Sequence, residues 1–350
     1  MGEPDRLASR DTIAAKLSAL SDDAIRRLLD AGTRPRVGIG GATRSVRVAG
    51  MPVFVKAIRL SDRELDAGPG NTSNLFGLPP WYHYGVGEGS AGFNAWREVA
   101  THEMVSDWII EDGYGRFPLL YHWRILPGVD RREADEADIV RAVDFWAGST
   151  EVEARLRALS TATAAVVLFM EYVPWVLRDW IDSKWDCGAM DVAVSAQDVV
   201  AQLLGVTQRM RARGLVHFDV HLDNILTTGQ NLIVSDFGLA AAAHFQLDDA
   251  ERRFLATHVD HDVAYCAAEL TNAILGKTMA FPHARARNAW LRDLPRADTL
   301  GEGSGPLSDI VRRLAPTAAL INDHYWHLHG GHLETPFPSR ALAAALDAMA

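Results

Sequence analysis

The chain has 350 residues, 48% of them hydrophobic, enough for a sizeable core arranged in two lobes or domains. Its formal net charge of −10 argues against broad binding to nucleic acid or to an anionic membrane. The two cysteines, Cys187 and Cys266, cannot build a disulfide framework, and no apolar run reaches the ~18 residues of a membrane span.

In chain order, the opening MGEPDRLASRDTIAAKL is charged throughout and lacks the apolar centre of a signal peptide, so a cytoplasmic protein is expected. Residues 10–31 read as a helix, with Ile13, Leu17, Leu20, Ile25, Leu28 and Leu29 at helical spacing and Gly32 as the stop. SVRVAGMPVFVKAIRL (45–60) holds two β-rich runs joined at Ala49-Gly50, the pattern of a hairpin. A Gly-, Pro- and Asn-rich stretch follows from 66 to 93, long enough to be functional or inserted. Residues 94–110 predict a helix and 117–126 a strand. The acidic run 133–138 reads as a solvated helix start, with a helix over 138–160. AAVVLFMEYV (164–173) reads as a strand buried on both faces, and 195–214 as a helix with Ser195 at its N-cap and Gly214 at its end. NLIVSDFGLA (231–240) contains a short strand, and helices are expected again over 259–276 and most of 340–350. Strands dominate the first half and helices the second, which suggests two unlike lobes.

The stretch HFDVHLDNIL (217–226) concentrates the chemistry. Asp219 and Asn224 lie five residues apart on a loop between a helix and a strand, and Asp236 follows the next strand, succeeded by Phe237 and Gly238. Phosphoryl transfer needs a carboxylate near the attacking hydroxyl and oxygen ligands for Mg²⁺, and these residues supply that set. Lys56, in the apolar run VFVKAI, is a strand-borne point charge suited to phosphates.

In this order the motifs resemble the protein-kinase-like superfamily, which includes eukaryotic-type Ser/Thr kinases and aminoglycoside-type phosphotransferases; the resemblance runs from about residue 38 to 276. HFDVHLDN is similar to that family's HRDLKPEN, residues 236–238 are its DFG, FMEYV (169–173) resembles its hinge strand, and DVAYCAAELTNAILG (262–276) resembles a helix of its C-lobe. The resemblance implies an α+β bilobal fold: an N-terminal helical extension (1–32), a small antiparallel β-rich N-lobe with two insertions (33–172), and a mainly helical C-lobe (173–350). It implies ATP and Mg²⁺ as cofactors. Asp219 would be the base, Asn224 and Asp236 the metal ligands, and Lys56 the phosphate contact, paired with Glu98 or, failing that, Glu103. Met170, Glu171 and Val173 would line the adenine. Gly38, Gly40 and Gly41 would form a glycine loop, although Thr43 stands where a third family glycine is expected. Asp262 would anchor the catalytic loop and His217 would brace it.

Four departures bear on the acceptor. Phe218 replaces an arginine that receives a phosphorylated activation loop in many protein kinases, so that switch is not expected here. His221, the expected γ-phosphate contact, stands where Ser/Thr kinases carry lysine, and histidine there is common in the aminoglycoside-type branch. The segment between Asp236 and Asp262 is short and lacks Ala-Pro-Glu. Two insertions interrupt the first half; the one before the Glu98 helix is aromatic and expected to cover nucleotide or acceptor. These features predict a phosphotransferase acting on an alcohol hydroxyl, with a protein or peptide Ser/Thr favoured over a small molecule such as an antibiotic or metabolite. A nucleotide-binding pseudokinase or scaffold is the rival. A cationic acceptor would require acidic residues, for which Asp182, Asp186, Asp223 and the 248–251 segment are the candidates. Neither nucleic acid nor membrane is an expected partner. The histidines of HYWHLHGGH (His324, His327, His329, His332) read as packing residues rather than metal ligands.

Overall fold

The computed structural model describes residues 3–34, 36–38, 40–129, 135–185, 189–294 and 306–348. Asp186, Cys187 and the start of the acidic run lie outside them. Contacts divide the chain into two compact units, Met1–Pro174 with Ser235–Ala250, and Trp175–Val234 with Glu251–Ala350. Segment 235–250 therefore belongs with the sheet of the first half, not with the helices that flank it in sequence. The fold is α+β, and no helix among the described residues is long and apolar enough to cross a membrane.

The first unit is built on a five-stranded antiparallel sheet of order β1-β2-β3-β5-β4, comprising β1 (Arg36–Gly38), β2 (Gly41–Val48), β3 (Met51–Leu60), β4 (Leu120–Pro127) and β5 (Ala164–Glu171). Strands β2 and β3 form the expected hairpin, closing at Val48↔Met51. Ala49 and Gly50 turn it with φ of 52° and 80°, the left-handed pair that matches strand twist. Strand β5 lies inside the sheet between β3 and β4 and is buried along nearly its whole length, which is why its sequence shows no polar alternation. Helix α4 (Ala95–Asp112) covers one face of the sheet, where Trp96 and Val99 join Ile58, Leu60, Val166, Leu168 and Met170 in a shared core.

Residues 10–31 form two helices, α1 (Glu3–Ser18) and α2 (Asp22–Asp30), not one. Ser21 caps α2 by accepting from the Ala24 amide, and the acidic pair Asp22-Asp23 favours the same helix start. Both pack on the sheet. Arg6 of α1 donates to both carboxylate oxygens of Glu171 at the end of β5, at 2.8 and 2.6 Å. The expected helix over 138–160 is likewise two, α5 (Glu136–Phe145) and α6 (Thr150–Ser160), interrupted where Ala147 and Gly148 adopt positive φ.

The two inserted segments pack on each other. A short helix, α3 (Asp62–Ala67), is closed by a capping box between Ser61 and Glu64. Glu64 is fully buried and meets the buried Arg155 of α6 at 2.7 Å. Burial alone would raise its pKa, but Arg155 and hydrogen bonds from Ser61 and the Ala95 amide bring it below the usual carboxylate range. Trp81 stacks on Trp146 at 5.5 Å, and Trp146 donates to the Gly89 carbonyl.

The second unit contains a small sheet (Trp175–Val176, Ile225–Thr227, Leu232–Val234) and helices α7 (Leu177–Trp185), α8 (Ala189–Ala212), α9 (Asp249–Thr257, which begins at the unit boundary), α10 (His261–Thr278), α11 (Ala284–Asp293), α12 (Pro306–His329) and α13 (Ser339–Asp347). Ser195 lies inside α8 and caps nothing, because the helix begins six residues earlier. Gly214, at φ 70°, does end the helical run.

Candidate functional site

In the first unit, β3 carries Lys56 inward, paired in register with Thr43 and Leu168. Its Nζ lies 2.7 Å from Glu98 Oε1 on α4 and 2.7 Å from Asp236 Oδ1. Lys56 and Glu98 are 4% and 3% exposed, whereas the Asp236 side chain is 43% exposed. Burial by itself would lower the Lys56 pKa; the two carboxylates more than offset it, so the net shift is upward and the ammonium stays charged. Glu98 is pushed up to about 7, by burial first and by the like charge of Asp236, with Lys56 opposing. Glu103, the alternative partner, instead accepts from the Trp123 indole at 2.8 Å.

Asp236 sits at φ 64°, a conformation that costs a non-glycine residue energy and recurs where side-chain aim matters. Phe237 is fully buried between His102 and Phe117, at centroid distances of 5.0 and 6.1 Å. The glycine hairpin closes tightly at Gly38↔Gly41. A side chain at Gly41 would collide with the Ala57 carbonyl, and a carbon added at Gly40 would stand 3.4 Å from Lys56 Nζ, so the hairpin passes directly over the ammonium. Met170 is core, facing Phe54 across the strands. The Glu171 carboxylate is held by Arg6 and the Leu119 amide, so any adenine contact from Glu171 falls to its backbone. Val173 follows β5 and is partly exposed.

In the second unit, residues 217–224 form a tightly bonded loop. Asp262, the second residue of α10, accepts from the amides of His217 at 2.7 Å and Phe218 at 3.0 Å. His261 Nδ1 lies 3.1 Å from the same carboxylate, and its Nε2 is 2.8 Å from the Tyr325 hydroxyl. The Asp219 amide donates to His217 Nδ1, so His217 braces the loop from within. Asn224 Nδ2 donates to both the carbonyl and the Oδ2 of Asp219, at 2.9 Å each, which fixes the carboxylate's orientation. His221 Nδ1 accepts from the Asp223 amide, so in the neutral ring Nε2 carries the proton; it lies 3.6 Å from Asp219 Oδ1. Phe218, at φ 65°, is buried among Phe254, His258 and His261 at 5.1–5.8 Å. The Phe218 ring therefore serves as core.

Lys56, Glu98 and Asp236 are thus brought together in one unit, and Asp219, His221 and Asn224 in the other. With the Asn224 nitrogen committed to Asp219, its amide oxygen is the atom suited to a hard cation, and the half-exposed Asp236 carboxylate is the same ligand type. Among the described residues no group of three or more His, Cys, Asp or Glu is gathered for a metal. His324 packs beside Phe337 and Tyr325, and His327 Nδ1 bonds the Asp323 carbonyl. Of the acidic candidates, Asp182 is paired with Lys277 at 3.1 Å and Asp223 with Arg178 at 2.8 Å. Arg178 also reaches Glu269, and sequence gave no sign of this clasp. His83 and Thr72 of the first insertion were equally unforeseen: each hydrogen-bonds the backbone after Gly238, at Leu239 and Gln246.

No protein-family model matches the chain, and a search of curated proteins returns no match.

Proposed function

We propose that this chain is an ATP- and Mg²⁺-dependent phosphotransferase with a bilobal protein-kinase-like fold, acting on an alcohol hydroxyl. The observation that carries the reading is the Lys56–Glu98–Asp236 ion triad, in which the buried Lys56–Glu98 pair meets the half-exposed Asp236 and whose members lie far apart in sequence. Burying an ammonium is costly even when carboxylates offset it, and a phosphate-binding lysine held in one place is a function that would account for such an arrangement.

Lys56 orients the nucleotide's α- and β-phosphates, and Glu98 keeps its ammonium aimed. Asp219 accepts the proton of the acceptor hydroxyl as its oxygen forms the new bond to the γ-phosphorus and the bond to the β-phosphate oxygen breaks. Asn224 keeps Asp219 turned toward that proton. Magnesium would supply charge neutralisation of the phosphates, and Asp236 in one unit and Asn224 in the other each offer an oxygen of the type it takes. His221 presents an N–H beside Asp219, a donor for a γ-phosphate oxygen. A serine or threonine of a protein or peptide is the preferred acceptor, because Asp182 and Asp223 are already engaged by cations and leave less negative charge for a polycationic antibiotic. His221 in the place of lysine is what favours the small-molecule reading.

The test is transfer of radiolabelled γ-phosphate from ATP to a generic protein, to the chain itself and to a panel of antibiotics. Label in any acceptor with wild type, and about 10²–10⁴-fold slower labelling with Asp219→Asn, is expected. ATP binding without transfer to any acceptor would favour a pseudokinase instead.

A further inference from the structure

The first insertion makes a set of contacts to the chain after Gly238 that the reaction itself does not require. His83, 2% exposed, lies with Nδ1 2.8 Å from the Leu239 carbonyl. A carbonyl only accepts, so Nδ1 carries the proton and the tautomer is fixed. The imidazole stacks on Phe93 at 3.9 Å and 17°, and Arg97 covers the ring of Phe93 at 5.0 Å and that of Phe245 at 5.9 Å. Arg97 Nε donates to the Thr72 carbonyl at 2.7 Å, while Thr72 Oγ1 accepts from the Gln246 amide at 2.9 Å. Gly92 approaches the backbone so closely that a side-chain carbon there would stand 2.5 Å from the Gly238 oxygen.

The insertion is itself anchored. Arg155, on the second insertion, is bonded to Glu64 and donates to the Gly92 carbonyl at 3.2 Å. Asn94 ties the segment's two ends by donating to the carbonyls of Asn71 and Ser73. The contacts on 238–246 therefore come from a rigid body, not from a loose loop.

We propose that residues 71–93 are a built-in clamp holding the Asp236–Gly238 turn and the segment after it in working geometry, with His83 as its positioning residue. Residues 238–246 are thereby ordered by the chain's own insertion. This rests on the phosphotransferase reading for its catalytic consequence, but not for its structural one.

The experiment compares His83→Phe, which keeps a ring against Phe93 and loses the donor, with His83→Asn, which keeps a donor near the Nδ1 position and loses the ring. Thr72→Val removes the second contact at nearly constant volume. Hydrogen exchange read by mass spectrometry on the full chain should rise in peptides covering 236–248 for His83→Phe and Thr72→Val, with little change in the peptides of β5. His83→Asn should stay near wild type. In the transfer assay His83→Phe should lose about tenfold in kcat, the scale of one buried hydrogen bond, and need more Mg²⁺, with KM for the acceptor little changed. Phosphatase treatment should leave wild-type activity intact. Unchanged exchange in His83→Phe and Thr72→Val, or equal effects of His83→Phe and His83→Asn, would overturn the clamp. Absence of transfer by wild type would overturn only the phosphotransferase reading, since the exchange measurement stands without it.

Discussion

Lowering the pH from 7 to 5 sets two imidazoles of the second unit against their surroundings. His258 and His324 are each 3% exposed. His258 lies against Phe254 and Phe337 at 3.8 and 4.3 Å, and Phe337 is 5.4 Å from His324. Burial, and then the neighbouring His261, pulls His258 down to about 3 and His324 down to about 4. Unfolded histidine titrates near 6.5, so between 6.5 and these values the unfolded chain binds more protons than the folded one. The stabilisation is therefore complete above pH 6.5 and drains away as pH falls through 6.5 toward 4 and 3. At pH 5 each ring forfeits about 1.5 pH units' worth, or about 2 kcal/mol, and the pair about 4 kcal/mol. Urea unfolding followed by tryptophan fluorescence at pH 7 and pH 5 measures this directly. His324→Phe removes one titrating ring and should lose about 2 kcal/mol less between the two pH values than wild type. An equal loss in both proteins would refute the assignment, as would an imidazole C2–H signal of His258 that titrates near pH 6 in the folded chain.

Replacing Asp219 by Asn should cut transfer by about 10²–10⁴-fold while sparing nucleotide affinity, checked by single-turnover kinetics and ATP titration. In Lys56→Met, Glu98 keeps its burial and loses its cation. A folded pKa raised above the unfolded value means that stability falls as pH rises through that range. The variant's deficit relative to wild type should therefore be small at pH 6 and grow to about 3 kcal/mol or more at pH 8.5 in urea unfolding. Glu64→Gln leaves the buried Arg155 without its counter-ion and should cost about 3–5 kcal/mol, much of which Glu64→Gln/Arg155→Met should restore in a double-mutant cycle.

The β2–β3 hairpin was legible because Ala49-Gly50 sits between two β-rich runs, and β5 because its apolar run is unbroken. The loop of 217–224 was legible through the resemblance of its motif, and its internal bonds, from Asp219 to His217 and from Asn224 to Asp219, are local, whereas Asp262 ties it from a distance. Helix boundaries failed where a local signal was overridden or passed over. Ser21 was a cap in the middle of an apolar rhythm, Gly148 interrupted a run read as continuous, and Ser195 had the right chemistry within an already formed helix. The contacts of Arg6 to Glu171, His83 to Leu239 and Thr72 to Gln246 span more than 150 residues each. No periodicity announces such partners, because tertiary packing alone selects them. The burial of Phe218 depends on Phe254, His258 and His261, which the loop's own sequence does not predict.

The stacking of Trp81 on Trp146, the Glu64–Arg155 pair and the closeness of Gly87 to Phe145 couple two stretches that are separated in the chain by helix α4 and strand β4. Neither stretch is a removable ornament. A deletion that trims one exposes an indole face and strands a buried charge on the other, so in any redesign the two behave as a single inheritable part, kept or discarded together.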